Sequence, residues 1–364
     1  MKIKDITRYI ETIAPPLYQE SYDNASLIVG DPNWECTGAL LTLDSLEATI
    51  DEALEKNCNL IIAHHPIVFR GLKRLNGRNY VERIVIKAIK NDVAIYAAHT
   101  NLDNVHTGVN KKICDKLGVK NPTILAPKQH LLKKLYTFCP TNKVEEVRNA
   151  LFQTGAGTIG DYDQCSFNTA GTGTFRGNDD TDPYVGKKGE LHQEQETKIE
   201  IIFPAHLERT LIGQLQQHHP YEEVAFDIVA LDNIHPRIGS GMIGELEKPM
   251  EAMDFLTFLK ETMQAKCVRH TNLIGRPIQK VAVCGGAGSF LLRNAMAQKA
   301  DVFVTADYKY HEFFDADNQI IIADIGHYES EQYTIELFKE ILTEKFRNFA
   351  LFSTQINTNP INYL

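Results

Sequence analysis

The chain has 364 residues, of which 43% are hydrophobic and 23% charged, and its formal net charge is −9. This composition excludes extensive disorder and fibrous classes, and the length fits two or three domains. The negative charge argues against a broad nucleic-acid surface, because phosphate contacts need clustered Lys and Arg. Without a signal-peptide core or an apolar run of about 18 residues, we expect a soluble, cytoplasmic protein that does not bind membranes. Its seven cysteines form no Cys-x-x-Cys pair and are expected to be reduced thiols.

Residues 1–128 alternate short apolar runs with amphipathic segments, which is typical of an α/β fold with a parallel sheet. The predicted strands cover 39–43, 59–63 and 93–98. Ser45 is the predicted N-cap of a helix that includes Ile50 and Leu54, and a second helix is predicted over 81–90.

Residues 129–237 have a different pattern and are predicted to form an inserted domain. Glycine-rich turns are predicted at 155–160, 171–173 and 186–189. The predicted elements are a strand at 135–138, a helix at 144–153, a hairpin-rich middle, a strand at 198–203, a helix at 207–217 and a strand at 224–231. This order is ferredoxin-like. From 238 to 364 the α/β pattern returns, with strands predicted at 281–284, 302–304 and 320–322.

Two groups of candidate metal ligands lie far apart in the sequence, and each follows a predicted strand. His64, His65 and Asp103 belong to the first group, and His327 and Glu331 to the second. Ligands bind at the carboxyl ends of strands in open α/β sheets, so polar side chains there indicate a functional site. Imidazole and carboxylate ligands together suit zinc, manganese or iron, with zinc as the first expectation.

The spacing within these groups suggests two cations. Adjacent side chains such as His64 and His65 rarely point to one centre, so each is assigned to a different ion, with Asp103 or Glu331 as a bridge. If a helix begins near His327, Glu331 lies four residues on and shares its face. The alternative is a pair of strand-end histidines that make ordinary hydrogen bonds.

Further polar residues follow the same strands. His99 is predicted to orient a ligand or transfer a proton, and Asp44 either supports a ligand or provides a helix N-terminal charge. After a later strand come Thr305-Ala306-Asp307 and then His311. His311 is the candidate general acid or base, and its alternative is a surface histidine on an ordinary helix.

Two other motifs compete with this interpretation. Gly285-Gly286-Ala287-Gly288-Ser289 follows a strand and could hold an anion on its amides, although a tight turn explains the glycines equally well. His218-His219-Pro220 is a second His-His-Pro sequence, but it follows a helical pattern that proline ends.

Four motifs together carry a family resemblance that spans the chain. They are Ala63-His64-His65-Pro66, His99-Thr100-Asn101-Leu102-Asp103, Gly285-Gly286-Ala287-Gly288 and Gly326-His327-Tyr328-Glu329-Ser330-Glu331. In this order they resemble the family of GTP cyclohydrolase 1 type 2 homologues, also called the Nif-three-like family. The middle segments 155–160, 171–175 and 219–223 resemble the PII-like or CutA-like insert of its longer members.

The resemblance implies two α/β halves, 1–128 and 238–364, that form one metal-binding core around the insert. It implies a two-metal site inside a toroidal homohexamer, with the inserts on the outside faces. The implied ligands are His64, His65, Asp103, His327 and Glu331. The sequence departs from the family pattern in two loops near the site. Tyr22-Asp23-Asn24-Ala25-Ser26-Leu27 stands where Trp-Asp-Asn-x-Gly-Leu is usual, and Ala306 replaces the glycine of Thr-Gly-Asp.

The leading functional hypothesis is metal-dependent hydrolysis of a nucleotide or related heterocycle, with GTP as the substrate that the family name suggests. Phosphoester cleavage is the enzymatic alternative. A non-catalytic adaptor, braced by metals and carrying an insert that senses a small molecule or binds a protein, is the alternative from another class. DNA binding through a ring is a third and less favoured hypothesis.

Overall fold

The computed structural model describes residues 1–364, which form two compact units. Met1–Pro127 and Arg237–Leu364 together form the first unit, and Lys128–Pro236 forms the second. Both units combine helices with sheets, so the chain is a mixed α/β protein. None of its helices has the length and apolar character required to cross a membrane.

The chain contains fifteen strands and eleven α-helices. The strands are β1 (Leu27–Val29), β2 (Ala39–Thr42), β3 (Leu60–Ala63), β4 (Ala94–Ala97), β5 (Lys120–Pro127), β6 (Leu132–Pro140), β7 (Phe167–Phe175), β8 (His192–Pro204), β9 (Phe226–Leu231), β10 (Gly239–Met250), β11 (Arg269–His270), β12 (Ile278–Ala287), β13 (Val302–Ala306), β14 (Ile321–Asp324) and β15 (Leu351–Ser353). The helices are α1 (Ile3–Ile13), α2 (Glu47–Glu55), α3 (Tyr80–Lys90), α4 (Thr100–Asp103), α5 (Val109–Lys116), α6 (Val144–Phe152), α7 (Glu208–His218), α8 (Ala252–Thr262), α9 (Leu292–Ala297), α10 (His327–Glu331) and α11 (Thr334–Lys345).

The first unit contains a five-stranded sheet in the order β1-β4-β3-β2-β15. The strands β15, β2, β3 and β4 are parallel, and their register aligns Thr42, Ala63 and Ala97 at the carboxyl edge. Every residue of β2, β3 and β4 is buried, as expected for parallel strands covered on both faces. The parallel strands predicted from the sequence are confirmed.

The second sheet of this unit has six strands in the order β11-β14-β13-β12-β10-β5. Its strands β12, β13 and β14 are parallel, and β10 runs antiparallel to both β12 and β5. The segment after β14 turns at Gly326, whose φ is +93°, and begins α10 at His327. A helix does begin at His327, so the condition under which Glu331 shares its helix face is met.

The predicted N-cap of α2 is wrong by one residue. The helix begins at Glu47 with Leu46 at the N-cap, where Thr49 both donates to the Leu46 carbonyl and accepts from its amide, each at 2.8 Å. The hydroxyl of Ser45 is buried without a hydrogen-bond partner. Thr49, three residues after the N-cap, thus satisfies the Leu46 amide, while Ser45 caps nothing.

The second unit is built on one antiparallel sheet in the order β7-β8-β6-β9. Along the chain its elements run β6-α6-β7-β8-α7-β9. Apolar side chains from the strands and both helices form its core: Leu135, Val147, Leu151, Ile199, Ile201, Phe203, Leu211 and Leu215.

The predicted turn at 171–173 is wrong, because these residues lie inside β7, paired with β8. A Cβ at Gly173 would lie 2.0 Å from Glu196 Oε2. Glycine here leaves room for a neighbouring carboxylate instead of making a turn.

Candidate metal centre

The five predicted ligands converge at the carboxyl ends of strands in the first unit. His64 and His65 follow β3 directly, Asp103 ends α4, and α10 carries His327 and Glu331. The His64 Nε2 atom lies 3.6 Å from Asp103 Oδ1 and 3.8 Å from Glu331 Oε1. The other Glu331 oxygen lies 3.0 Å from His65 Nε2 and 3.1 Å from His327 Nε2, and these two nitrogens are 3.2 Å apart.

Carboxylates fix the orientation of two of the imidazoles from outside. The Nδ1 atom of His65 donates to Asp44 at 2.8 Å, and that of His327 donates to Asp307 at 2.6 Å. An ionised carboxylate can only accept, so the proton belongs to Nδ1. When the ring is neutral, its Nε2 therefore carries a lone pair on the side of Glu331. Metal-ligating histidines are commonly fixed in this way, with one ring nitrogen bonded to a carboxylate and the other available to the metal.

The remaining two imidazoles are held in the same way. The Nδ1 atom of His64 donates to the Ala98 carbonyl at 2.9 Å. That of His99 donates to Asp23 at 2.7 Å, and Asp23 also accepts hydrogen bonds from the amide and hydroxyl of Thr100. The ring of His99 lies 5.3 Å from that of His64. In all four histidines, Nδ1 is therefore bonded to a fixed acceptor and Nε2 lies on the opposite side of the ring.

Three buried polar atoms at this point have no hydrogen-bond partner: His64 Nε2, Asp103 Oδ1 and Glu331 Oε2. Glu331 Oε2 is close to two imidazole nitrogens, but neither contact has hydrogen-bond geometry. Buried polar atoms are normally satisfied, and nitrogen and carboxylate oxygen are the ligands of zinc and related cations. The residues therefore fit a bound cation.

The potential ligand atoms fall into three overlapping groups, within each of which all atoms lie within 4.8 Å of one another. The groups are His64 with Asp103 and Glu331, His65 with His327 and Glu331, and His64 with His65 and His99. Glu331 belongs to two of them, one on each of its oxygens. These groups could hold metal ions.

Protonation compensates the buried charge when no cation is present. Burial disfavours a charged His65, but its hydrogen bond to Asp44 and the nearby negative charge of Glu331 raise the pKa of His65 to about 10. The negative charge of Glu331 raises the pKa of His327 to about 11. Burial and the charge of Glu331 together raise the pKa of Asp103. Burial opposes ionisation of Glu331, yet the positive charge of His327 holds the Glu331 pKa well below its usual range.

A glycine in β12 allows Glu331 to occupy its position. Gly286 has a φ of +62°, and a Cβ there would lie 2.4 Å from Glu331 Oε1. Its amide donates to Ser330 at 2.9 Å, and the amide of Gly285 donates to Asn110 at 3.0 Å. Side chains therefore already occupy the amides of Gly285 and Gly286, which favours the tight-turn explanation of these two glycines over anion binding.

Comparison with known proteins agrees with the motifs. The family model Duf34/NIF3 (NGG1p interacting factor 3) matches residues 1–360. The chain belongs to the Duf34/NIF3 family. A Bacillus subtilis (strain 168) protein named GTP cyclohydrolase 1 type 2 homolog is 36% identical over 371 residues, which cover 99% of this chain and 98% of the relative. The family resemblance predicted from the sequence is confirmed.

Two solved structures of relatives have the same fold over their full length. A Bacillus cereus protein related to NIF3 is 36% identical with a TM-score of 0.87, and covers 100% of this chain and 99% of its own. A Staphylococcus aureus protein is 30% identical with a TM-score of 0.78 at the same coverage.

In this Duf34/NIF3 chain, the predicted site residues Asp44 and His311 differ in their relation to the five candidate ligands. Asp44 supports His65 and also accepts from Thr358 at 2.7 Å. His311 lies exposed in the short 3-10 segment Tyr310–Ala316, where its ring contacts Tyr310 and Phe314. The structure therefore does not bring His311 together with the five ligands.

The second His-His-Pro sequence lies in the other unit. His218 ends α7, and His219 Nε2 lies 3.0 Å from the Phe138 carbonyl. Its predicted place at the end of a helix is confirmed.

Sequence reasoning missed the roles of Asp23 and Ser330. Asp23 lies 76 positions before His99, and Ser330 contacts Gly286 from 44 positions away. Ser330 lies within the α10 motif and could have been considered, whereas no local signal links Asp23 to its histidine. Distant contacts of this kind are set by the fold as a whole.

Proposed function

We propose that this protein is a metal-dependent hydrolase that binds two divalent cations and acts on a nucleotide or related heterocycle. Glu331 carries the proposal, because one of its oxygens faces His64 and Asp103 while the other is close to His65 and His327. A carboxylate shared in this way suits a bridge between two ions. Zinc is the first candidate for this nitrogen and oxygen ligand set, with iron and manganese as alternatives.

The chain's own residues position ligands and transfer a proton. Bound divalent cations would supply Lewis acidity and hydroxide at neutral pH. Burial opposes ionisation of Asp23, but its hydrogen bond with His99 lowers the Asp23 pKa to about 2, so Asp23 stays ionised and fixes the His99 ring. The Nε2 atom of His99 is then free to accept a proton from a substrate or water at this site.

His99 and His311 can be compared directly as proton-transfer groups. The fixed ring of His99 beside His64 and His65 favours His99. We expect H99Q to lower turnover about a hundredfold while H311A has a much smaller effect, with metal content measured in both variants. A larger effect of H311A, with metal intact, would restore the role predicted for His311 from the sequence.

GTP is the first substrate to test, since the Bacillus subtilis relative is named a GTP cyclohydrolase 1 type 2 homolog. Hydrolysis of the imidazole ring of GTP by one water would give a formamide, and a second water would cleave that amide to release formate. Metal-loaded protein should be incubated with GTP and, separately, with phosphodiester substrates, and formate and phosphate-ester products should be measured. E331Q, which keeps the shape but removes the charge, should lose turnover together with metal. If metal-loaded protein released neither formate nor phosphate-ester products, the result would contradict the hydrolase.

A metal-braced adaptor or sensor remains the second candidate, and a cavity in the second unit favours it. The cavity has a volume of about 660 Å³ and is lined by Phe138, Phe175, Tyr184, Tyr221 and Glu196, among others. Its size and aromatic walls suit a small organic ligand. The β6-α6-β7-β8-α7-β9 order supports the proposal that residues 129–237 form a ferredoxin-like, PII/CutA-like domain.

We also propose that the protein assembles as a homohexamer, whose mass can be measured by light scattering. The adaptor and the hydrolase then predict different results for assembly and for turnover when metal is lost. For the adaptor, E331Q would lose the assembly while the wild-type protein turns over no substrate in a broad panel. For the hydrolase, turnover by the wild type is required.

A further inference from the structure

The loop between β3 and α3 carries an unusual concentration of positive charge. Residues 66–79 follow the ligands His64 and His65 directly and contain four basic residues and no acidic one. The basic residues are Arg70, Lys73, Arg74 and Arg78, all of them exposed. In a chain with a net charge of −9, such a segment beside a candidate metal centre points to an anionic ligand.

The cations of this loop differ from those of the helix that follows. In α3, Arg83 pairs with Glu47 at 2.7 Å and Lys87 with Asp51 at 2.6 Å. None of the four loop cations takes part in an ion pair. Their guanidinium and ammonium groups are therefore available to a ligand, whereas those two helix cations are already neutralised.

The loop is fixed at both ends, and its beginning lies at the metal centre. The ring of Phe69 is 6.4 Å from that of His99 and 6.1 Å from that of Tyr22. The preceding Val68 carbonyl accepts from Asn24 at 2.7 Å. Arg70 is one residue from Phe69, so its backbone is within about 4 Å of a residue beside the centre.

The far end of the loop is attached to α3. Glu82 accepts hydrogen bonds from the amides of Asn76 at 3.2 Å and Arg78 at 3.0 Å, and Asn79 caps the helix by accepting from the Glu82 amide at 2.9 Å. The charged segment therefore spans two fixed points, with Arg70 next to the first and Arg78 at the second.

Two exposed aromatic side chains border the same place. Tyr22 is 62% exposed and Phe69 is 46% exposed, although both are large and apolar enough to be buried. Asp23, the next residue after Tyr22, holds His99. Exposed aromatic faces beside a catalytic histidine can stack against a planar ring.

We propose that the loop binds the phosphate chain of the substrate while Tyr22 and Phe69 contact its planar heterocycle. The substrate class is then a mononucleotide, and nucleosides and free bases bind weakly. Arg and Lys suit this role because they form charge-assisted hydrogen bonds to phosphate oxygens, which Arg can make in pairs. The inference rests on the proposed function, since it names the substrate of the same centre.

Binding measurements test the charged part of this site independently of turnover. Titration calorimetry on metal-loaded protein compares GTP, guanosine and inorganic tripolyphosphate, using the wild type and R70Q/R74Q. The control is R293Q/R347Q, which removes two other exposed arginines of the first unit that enter no ion pair. Metal content is measured in every variant, because tripolyphosphate can also contact metal ions.

We expect R70Q/R74Q to weaken GTP and tripolyphosphate binding about tenfold or more and to change guanosine binding less than about twofold. The control should change none of the three by more than about twofold. Equal GTP binding by R70Q/R74Q and the control would overturn the proposal. So would tighter wild-type binding of a single-stranded oligonucleotide than of GTP, which would indicate a polynucleotide surface.

The aromatic part of the site has its own test. F69L should weaken the binding of GTP and of guanosine by similar factors and leave tripolyphosphate binding unchanged. F290L, which removes another exposed phenylalanine, should leave the binding of all three unchanged. Unchanged guanosine binding in F69L would refute the aromatic contact. Loop-dependent GTP binding without formate or phosphate release would refute the hydrolase while supporting nucleotide recognition by the loop.

Discussion

At the scale of single residues, Glu331 determines the geometry of the centre. Its side chain is 3% exposed, and its two oxygens face different groups of ligands. A buried carboxylate is costly unless positive charge compensates it, which either protonated imidazoles or a cation can provide. The raised pKa values of His65 and His327 show how the metal-free protein achieves this.

The carboxylates behind the imidazoles should be as necessary as the ligands themselves. Asp307 holds Nδ1 of His327 and so directs its Nε2 towards Glu331. We expect D307N to lower metal affinity about tenfold to a hundredfold with little change in overall stability. Competition with a chelator of known affinity measures this. D315N removes an exposed carboxylate of the Tyr310–Ala316 segment and is the control; equal affinities in the two variants would contradict the role of Asp307.

Metal binding should release protons. The pKa values of His65 and His327 are about 10 and about 11 in the metal-free protein, so both imidazoles are positively charged at neutral pH. Cation binding requires their Nε2 lone pairs, so roughly two protons must leave. The same shifts stabilise the metal-free fold below the unfolded histidine pKa of about 6.5, and this contribution is lost as pH rises through the folded values.

Calorimetry can detect this release. Metal titrations in buffers of different ionisation enthalpy should give different apparent enthalpies, and metal affinity should increase as pH rises from neutrality towards 10. Identical apparent enthalpies in all buffers would contradict the protonated state of the two imidazoles.

At the scale of elements, β12 meets α10 through a glycine that leaves space for a ligand. G286A would place a Cβ 2.4 Å from Glu331 Oε1, so Glu331 must move and metal affinity should fall about tenfold or more. Gly118 provides a matched control, since its φ of +68° is similar and nothing lies near its missing Cβ. Both variants should lose about 1 kcal/mol from the left-handed backbone. Equal metal affinity in G286A and G118A would contradict displacement of Glu331 by the added Cβ.

The elements that sequence predicted best are those with dense apolar runs. β2, β3, β4 and β12 to β14 were predicted because aliphatic residues continue through each strand. β10 was missed because it contains glycines, which normally indicate loops. The structure gives them another role: a Cβ at Gly239 would lie 2.1 Å from the Ala126 carbonyl, and one at Gly244 would lie 2.6 Å from that of Lys120. Close packing of β10 on β5 therefore requires Gly239 and Gly244, the same kind of residue that made the strand resemble a loop in the sequence.

The same reasoning explains which part of the site could be predicted. His327 and Glu331 share a helix face at a spacing of four residues, so a local pattern was sufficient. The partnership of Asp23 with His99, and the strand β15 that pairs with β2, depend on contacts between distant segments. The sequence analysis did not predict a role for the basic loop after His65, and only the structure relates its Phe69 to His99.

At the scale of the whole molecule, the candidate metal centre lies in one unit and combines side chains from both ends of the chain. His65 and His327 are 262 positions apart, and the second unit lies between them in sequence. Each unit has a hydrophobic core of its own. The first unit should therefore not need the residues of the second to form the centre.

The way the first unit closes makes this testable. β5 ends at Pro127 and pairs antiparallel with β10, where Pro127 lies opposite Gly239. Removing residues 128–236 leaves two paired strand ends that a glycine-containing turn of about two to five residues can join. We expect the shortened chain to unfold cooperatively on heating and to bind metal with the affinity of the full chain. Loss of cooperative unfolding or of metal would contradict an autonomous first unit, whereas retained metal with lost turnover would assign the second unit a part in substrate recognition.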